Sequence, residues 1–516
     1  MTSAASQLPL TVSRPLIAAL RADLIAADYR VEAIGRLIGP TADAALHREQ
    51  SLPALRAARA EPSPLATLLT CFMLGVPVPT RDLDAALPAL GSAGASELGL
   101  VASIDGESLP LVDLRPYAAR DALGDVDWWI ASDLSELATG QPLRPDHVLG
   151  AGGASLTLAG ITVRTRVRRT LDVGTGCGIQ ALHASRHSDH VVATDISARA
   201  LNFAAFNLAL CEVGNVSLRL GSLLEPVMDE SFDLVISNPP FVITPRSGDA
   251  IPDYEYRDAG RSGDGLVEEL VQALDRVLAP GGTAQMLANW EHHEGQPWRE
   301  RIEGWLAGSP LNALVVQREV LDPAQYAETW LRDGGLTADR DPGRWQAGYA
   351  DYLDDFARRE VRAIGMGFVA LSRPITGAPA PWRELIELPG PVTQPLGPAI
   401  AARLVARDWF AATSDAEVLA TAFVVASDVT EERYYRPGSP DPSVIMIRQG
   451  GGFGHHVQMS SEVAGVVGAC DGELALGQLV SAVAAITQQD AGALLAQVLP
   501  ELNALVADGL LVTAAP

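Results

Sequence analysis

The sequence predicts an α/β protein. A seven-stranded parallel sheet covered by helices forms the centre, with a helical, winged-helix-like module before it and an α+β, winged-helix-like module after it. Three observations carry this. From Val163 to Arg373 short β-like runs alternate with helical ones, the pattern of strands joined by crossover helices. Upstream, helical spacing gives way to two apolar runs around Asp105-Gly106, a short-range hairpin signal. Downstream, the proline-rich stretch Ala378–Pro391 leads into helices and a last short run, Gly509-Leu-Leu-Val-Thr513. At 516 residues the chain exceeds one core, and the three stretches divide it into domains at 1–120, 121–378 and 379–516.

Composition excludes several classes. With 48% hydrophobic and 20% charged residues the chain is globular rather than disordered. Its apolar runs fall short of the roughly 18 residues that span a bilayer, and Met1–Gln7 lacks the basic and apolar parts of a signal peptide. Four scattered cysteines (Cys71, Cys177, Cys211, Cys470) suit neither a disulfide framework nor a zinc knuckle, so a cytoplasmic location is expected and no metal. The net charge of −25 repels phosphate-rich partners and anionic membranes at long range. All 38 basic residues are Arg, which reads as base-composition bias in the gene.

Taken in order, Leu16, Leu20 and Leu24 fall at helical spacing, and Leu65–Leu74 is a short buried segment. Thr80 is placed to cap a helix over Arg81–Leu87. The hairpin around Asp105-Gly106 follows. Helices and then a hairpin fit a winged-helix-like module, or equally a helical cap over the next domain. In the connecting region, Trp128-Trp129 reads as a core or interface anchor. The run Asp146–Ser155, rich in Gly, fits a loop over a ligand as well as a plain turn.

Candidate strands are Arg169–Val173, Val191–Asp195, Ser217–Leu220, Leu234–Ser237, Thr283–Ala288, Ala313–Gln317 and Gly367–Leu371, with helices at Gly178–Ala184, Ala198–Leu210 and Gly265–Leu278. Ala279-Pro-Gly-Gly282 reads as a helix stop. Beyond 379, the tract Gln449–His456 is Gly-rich, and Ser460–Pro516 holds six acids and no cation. A DNA-reading face needs cations, so this module is expected to contact protein or its own catalytic domain.

Chemistry concentrates in Leu171–Ile243. A strand ending in Asp172-Val-Gly174-Thr175-Gly176-Cys-Gly178 and entering a helix makes a tight turn. There the main chain can approach a ligand closely and present N–H groups at a helix start. Asp195 closes the next strand, where a carboxylate can accept both hydroxyls of a ribose. Those two features fit NAD as well as S-adenosylmethionine. The fourth strand separates them. It stops at Asn238-Pro239-Pro240-Phe241, a stiff loop at the ligand-binding edge. An Asn oxygen and a proline carbonyl can each accept a hydrogen from one planar NH₂ group while Phe241 stacks on its plane. A nitrogen held so needs little beyond alignment to take a methyl from sulfonium.

This stretch resembles the class I S-adenosylmethionine-dependent methyltransferases that carry an Asn-Pro-Pro-(Tyr/Phe) motif, a Rossmann-like family. Its members act on adenine N6, on guanine N2 of ribosomal RNA, and on the glutamine N5 of release factors. The resemblance covers about 145–375. It implies that Asp172, Gly174, Thr175 and Gly176 cradle the methionine part of S-adenosylmethionine, and that Asp195 and Ile196 hold ribose and adenine. It also implies that Asn238, counted with the cofactor-binding residues too, and Pro239 orient the acceptor with Phe241 as the wall. The family often has an acid after the third strand to bind the adenine amino group. Here the residues are Gly221-Ser222-Leu223, leaving Ser222, Leu223 and main-chain groups to take that place.

Further along, Tyr254–Leu266 lies where related enzymes carry an acceptor-side loop, with Arg257 as an anion clamp or Asp264 as a favourable charge at a helix start. Glu291-His292-His293-Glu294 reads as a polar loop rather than a metal site, because adjacent His side chains point apart. Tyr349, Tyr352 and Phe356 read as packing. Arg164, Arg166, Arg168 and Arg169 form an RNA-binding patch, or Arg164, Arg166 and Arg168 make one solvated strand face. The expected activity is N-methyl transfer to a protein, peptide or small molecule. The alternatives are an exocyclic base amine of RNA or DNA, and a non-catalytic cofactor sensor.

Overall fold

The computed structural model describes residues 10–48, 50–139, 144–246, 261–375 and 380–514. They form two compact units. The first holds Met1–Ala159, Thr165–Leu311 and Val315–Arg373; the second holds Gly160–Arg164, Asn312–Leu314 and Pro374–Pro516.

All seven expected strands form. They are β1 (Val167–Val173), β2 (Ser188–Asp195), β3 (Val216–Leu220), β4 (Phe232–Ser237), β5 (Leu278–His293), β6 (Asn312–Leu321) and β7 (Val361–Ser372). Their order is β3-β2-β1-β4-β5-β7-β6. β1 pairs in parallel with β2 (Leu171 opposite Val192) and with β4 (Leu171 opposite Val235). β7 runs antiparallel to β5, with Thr283 opposite Ser372, so the sheet is mixed rather than wholly parallel. The chain crosses from one side of β1 to the other, and the carboxyl ends of β1, β2 and β4 open on this switch point, where α/β sheets bind ligands. Thr170–Val173 and Leu234–Ser237 are buried throughout, as expected of strands covered on both faces.

Helices α1 (Ile179–Ser185), α2 (Ala198–Leu210), α3 (Gly265–Ala273), α4 (Trp298–Trp305), α5 (Pro323–Asp333) and α6 (Pro342–Arg358) complete this layer. Ser197 caps α2 by accepting from the Ala200 N–H, and Asp322 caps α5 with Pro323 as its first residue. α3 is shorter than predicted, ending at Ala273 with a 3₁₀ turn over Leu274–Arg276. The expected helix stop at 279–282 lies inside β5, because Leu278 already pairs with Phe232.

Upstream, helices Arg14–Ala26, Val31–Leu46, Leu52–Ala60, Thr80–Ala86 and Gly91–Glu97 precede the predicted hairpin, Val101–Ile104 with Glu107–Pro110. Asp105 and Gly106 turn it with φ of 51° and 82°, the geometry of a two-residue hairpin loop. Thr80 is the first helical residue rather than the cap, which falls on Pro79. The boundary expected at 120/121 is not a division of the fold. It falls within a second hairpin, Asp113–Asp121 with Gly124–Ser132, and one core runs through it. Leu20, Leu24, Phe72, Trp129 and Ile130 cluster with Ile179 of α1 and with Phe203 and Phe206 of α2. Residues before 121 bury their apolar face on these two helices, so they cannot be a separate hydrophobic core.

In the second unit the stretch read as a linker holds a strand, Arg383–Glu387, beside the start of β6, where Ala313 N–H donates to Trp382 O at 3.1 Å. This is an eighth strand where seven were expected. The bond from Ala313 to Trp382 gives backbone pairing to a segment whose prolines suggested a free connection. Ala422–Val425 pairs with Asp471–Ala475 and Leu511–Thr513. The Gly tract turns the chain between strands Pro442–Gln449 and His456–Met459. Helices Gly397–Ala412, Ser461–Val467, Leu476–Thr487 and Ala491–Ala507 complete this unit.

Candidate cofactor and acceptor site

The turn after β1 has the conformation its glycines predict. Gly174, Gly176 and Gly178 have φ of 70°, 55° and 88°, values that side chains rarely adopt. A Cβ on Gly174 or Gly176 would meet nothing within 4 Å, so both face open space, whereas one on Gly178 would press on Ala204 of α2. The first two glycines leave room for a ligand and the third lets the turn pack closely on α2. Thr194 O accepts the N–H groups of both Gly174 and Thr175 at 2.9 Å, which holds the turn against β2.

Asp172 is fully buried beneath the turn and does not line the cleft. Its Oδ2 accepts the Thr175 hydroxyl at 2.6 Å, and its Oδ1 has no partner. Burial pushes its carboxyl up to about 7, with the Asp195 charge adding and the Thr175 bond opposing. Asp195 stands at the end of β2. Its Oδ2 accepts Gly176 N–H and its Oδ1 accepts Ser197 N–H, both at 2.8 Å. Burial raises its carboxyl too, against these backbone bonds.

A cleft of about 630 Å³ opens over these strand ends, within the range of small-molecule sites. The structure brings Gly174, Thr175, Gly176, Asp195, Ile196, Ser222, Leu223, Asn238, Pro239 and Phe241 together on its walls. Ile196 is 60% exposed into this space. Leu223 has a positive φ of 47°, and its carbonyl accepts from the Thr194 hydroxyl at 3.2 Å. Asn238 Oδ1 is buried with no hydrogen-bond partner, which is costly unless something donates to it. Pro239 O already accepts Phe241 N–H at 2.7 Å, leaving its second lone pair for another donor.

Four further elements were not singled out as site residues. Asp146–Gly150 and Gly152–Ser155 line the cleft as a strap that runs into the helix Gly153–Ile161. Asp133 holds the strap by accepting Val148 N–H at 2.9 Å while pairing with Arg199 of α2. Gln180 of α1 donates to Ser155 O at 2.8 Å. Trp330 and Asp333 of α5 line the far side, where Trp330 meets Phe241 edge-on at 6.4 Å. Tyr326, one turn earlier, accepts Ile243 N–H at 2.9 Å and the Asn289 amide at 3.0 Å. No local motif marks α5, which reaches the site only through the fold.

Other expectations fall outside the cleft. Tyr254–Gly260, with Arg257, lies outside the described residues, whereas Arg261 and Leu266 line the cleft. Asp264 sits at the start of α3, but its carboxylate accepts Glu291 N–H and the Arg301 guanidinium, both at 2.8 Å, instead of capping the helix. Glu291-His292-His293 ends β5 and is not a loop. Glu291 pairs with Arg359 and His293, and His292 bonds Gln317. Tyr352 and Phe356 are buried around Tyr326. The arginines do not share one face: Arg164 is buried, and Arg166 and Arg168 face Asp189 and Asp233.

An open glycine cradle, an acid at the end of β2 and a buried, unanswered Asn oxygen at the end of β4 suit a nucleoside-bearing methyl donor. Residues 152–300 match the family model described as methyltransferase small domain. This segment is a class I S-adenosylmethionine-dependent methyltransferase domain. Residues 26–110 and 402–513 match models of two domains of unknown function, DUF7059 and DUF7782.

Among similar proteins, release factor glutamine methyltransferase of Xylella fastidiosa (strain Temecula1 / ATCC 700964) is 32% identical over 181 residues, 34% of this chain and 61% of that one. Ribosomal protein L11 methyltransferase of Lactobacillus gasseri is 38% identical over 101 residues, 19% and 32% of the two chains. Ribosomal protein uL3 glutamine methyltransferase of Xanthomonas campestris pv. campestris is 34% identical over 124 residues, 22% and 40%. The chain spans less than two thirds of the length of these relatives. The solved ribosomal protein L11 methylase of Lactobacillus delbrueckii subsp. bulgaricus aligns at 22% identity and a TM-score of 0.24, over 43% of this chain and 76% of that one.

Proposed function

We propose that this chain is an N-methyltransferase that modifies a planar amide nitrogen on a protein, with a glutamine side chain as the acceptor. The observation that carries this is Asn238 Oδ1, buried and without a donor at the carboxyl end of β4. An acceptor NH₂ supplies that donor, and Pro239 O takes its second hydrogen. Phe241, backed by Trp330, forms the wall against the amide plane. When bound, S-adenosylmethionine supplies a methyl group on a positively charged sulfur. Gly174, Thr175 and Gly176 give its methionine part room and N–H groups, above Asp172, which braces the turn. Asp195 takes the ribose hydroxyls, with Ile196, Ser222 and Leu223 around the adenine. Because the nitrogen needs alignment more than a strong base, orientation by Asn238 and Pro239 is the main contribution of the acceptor side.

Two of the relatives are named as glutamine methyltransferases of proteins, which favours a protein over a nucleic acid. The chain's charge of −25 and the acidic partners of Arg166 and Arg168 lean the same way. In this reading the modules at 26–110 and 402–513, winged-helix-like in the order of their elements, select the protein, and the enzyme works in the cytoplasm. No described helix is long and apolar enough to cross a membrane.

The test is transfer of labelled methyl from S-adenosylmethionine into protein, RNA and metabolite fractions of a cell extract. Label in protein, recovered as N5-methylglutamine, supports the proposal, and label confined to RNA overturns it. Asn238→Ala should abolish transfer while S-adenosylhomocysteine binding stays within about threefold, because the lost bond is made to the acceptor. Equal loss of both would remove the role given to Asn238. Cofactor binding without transfer to any fraction would favour a sensor.

A further inference from the structure

We propose that Gln180 is a cofactor-binding residue whose amide oxygen receives a hydrogen bond from the ammonium group of S-adenosylmethionine. This deepens the reading of the cleft as a cofactor site and rests on it. Gln180 lies in the first turn of α1, lines the cleft and is 3% exposed. Ile179, Ala181, Leu182 and Ala184 around it are buried apolar residues. An amide among them breaks the packing pattern, and such breaks mark functional positions.

The orientation of this amide follows from its one bond. Nε2 donates to Ser155 O at 2.8 Å. A carbonyl oxygen only accepts, so the nitrogen must face the strap and Oε1 the other way. Oε1 is buried and has no hydrogen-bond partner.

Elimination identifies the missing donor. S-adenosylmethionine has three sets of N–H and O–H donors: ribose hydroxyls, adenine amino group and ammonium. The strap is tied at two places. At Val148 it is held through Asp133 to Arg199 of α2, the helix that follows Asp195 and Ser197, where the ribose is assigned. At Ser155 it is held to Gln180. Asp195 and its neighbours Ile196, Ser222 and Leu223 account for ribose and adenine, which leaves the ammonium for Gln180. A charged donor to a buried amide oxygen makes a strong bond.

Calorimetry on the full chain tests this with two ligands. One is S-adenosylhomocysteine. The other is 5′-S-(3-carboxypropyl)thioadenosine, the same molecule with hydrogen in place of the ammonium. Gln180→Met should weaken S-adenosylhomocysteine roughly tenfold and leave the deamino compound within about twofold, a coupling that a double-mutant cycle reads directly. Equal weakening of both ligands would mean that Gln180 only holds the strap, and would overturn the proposal, as would no weakening of either. Gln180→Asn, which keeps the amide but shortens it, gives the same reading if the Met variant does not fold. A wild-type chain that binds neither ligand overturns the cofactor reading itself, and this proposal with it.

Discussion

Asn207 brackets Ala131 with both ends of its side-chain amide. Its Oδ1 accepts Ala131 N–H at 2.8 Å, and its Nδ2 donates to Ala131 O at 2.9 Å and to Cys177 O at 2.8 Å. One buried side chain of α2 thus continues the backbone pairing of the hairpin Gly124–Ser132 and grips the glycine turn. The upstream module and the cofactor turn are one mechanical piece. Asn207→Leu leaves three buried backbone groups unmet, so a loss of about 2–4 kcal/mol is expected. Chemical denaturation measures it, and a change under about 0.5 kcal/mol would mean that water replaces these bonds.

Tyr326 holds the Asn238–Phe241 loop from outside. Its hydroxyl is the acceptor for Ile243 N–H, just beyond Asn238-Pro-Pro-Phe241, and it is fully buried. Tyr326→Phe frees that N–H and the Asn289 amide. Methyl transfer to protein should fall roughly tenfold to hundredfold, with S-adenosylhomocysteine affinity unchanged, since positioning of the acceptor is what is lost. An equal drop in cofactor affinity would place the role of Tyr326 in general stability.

Asp172 makes apo stability depend on pH. Its folded-state carboxyl is pushed up to about 7, above an unfolded value of about 3.9. Between these values the folded chain holds the extra proton, so this group favours folding below about pH 4, and its contribution is lost as pH rises through 7. Comparison with Asp172→Asn isolates it. The variant should match the wild type near pH 4 and gain on it by pH 8, read as the difference in thermal midpoint across pH. A difference that does not change between pH 4 and 8 would show that Asp172 is ionised throughout.

Asp133 sets the strap. Asp133→Ala removes the acceptor for Val148 N–H and the partner of Arg199. S-adenosylhomocysteine binding should weaken about tenfold, from the cost of ordering a loop that is no longer held. Protease cleavage within Asp146–Ser155 should accelerate and slow again on adding ligand. Unchanged affinity would show that the strap does not cover the cofactor.

The central domain was legible because its signals are local. Thr170–Val173 and Leu234–Ser237 are strand segments buried on both faces, and α2 has the bounds its sequence predicts, with Ser197 as cap. The positive φ of Gly174 and Gly176 and the strand-end place of Asp195 were legible because they are requirements of single positions. Asp172 is the partial exception, since its strand placed it at the turn but the Thr175 hydroxyl drew it underneath. The boundary at 120/121 failed because turn signals cannot report that Phe203 and Phe206 share a core with Trp129. Arg383–Glu387 was hidden by the prolines around it.

The sequence by itself determined seven strands of the central sheet, the glycine turn, and Asp195 and Asn238 at strand ends, because each depends on chain geometry within a few residues. Only the tertiary structure decided that Gln180 turns its oxygen away from the strap, that Tyr326 and Trp330 reach Ile243 and Phe241, and that the upstream helices share the core of α1 and α2. These depend on contacts between residues far apart in the chain. Burial and hydrogen bonding across such distances are set by how elements pack, and no local pattern carries them.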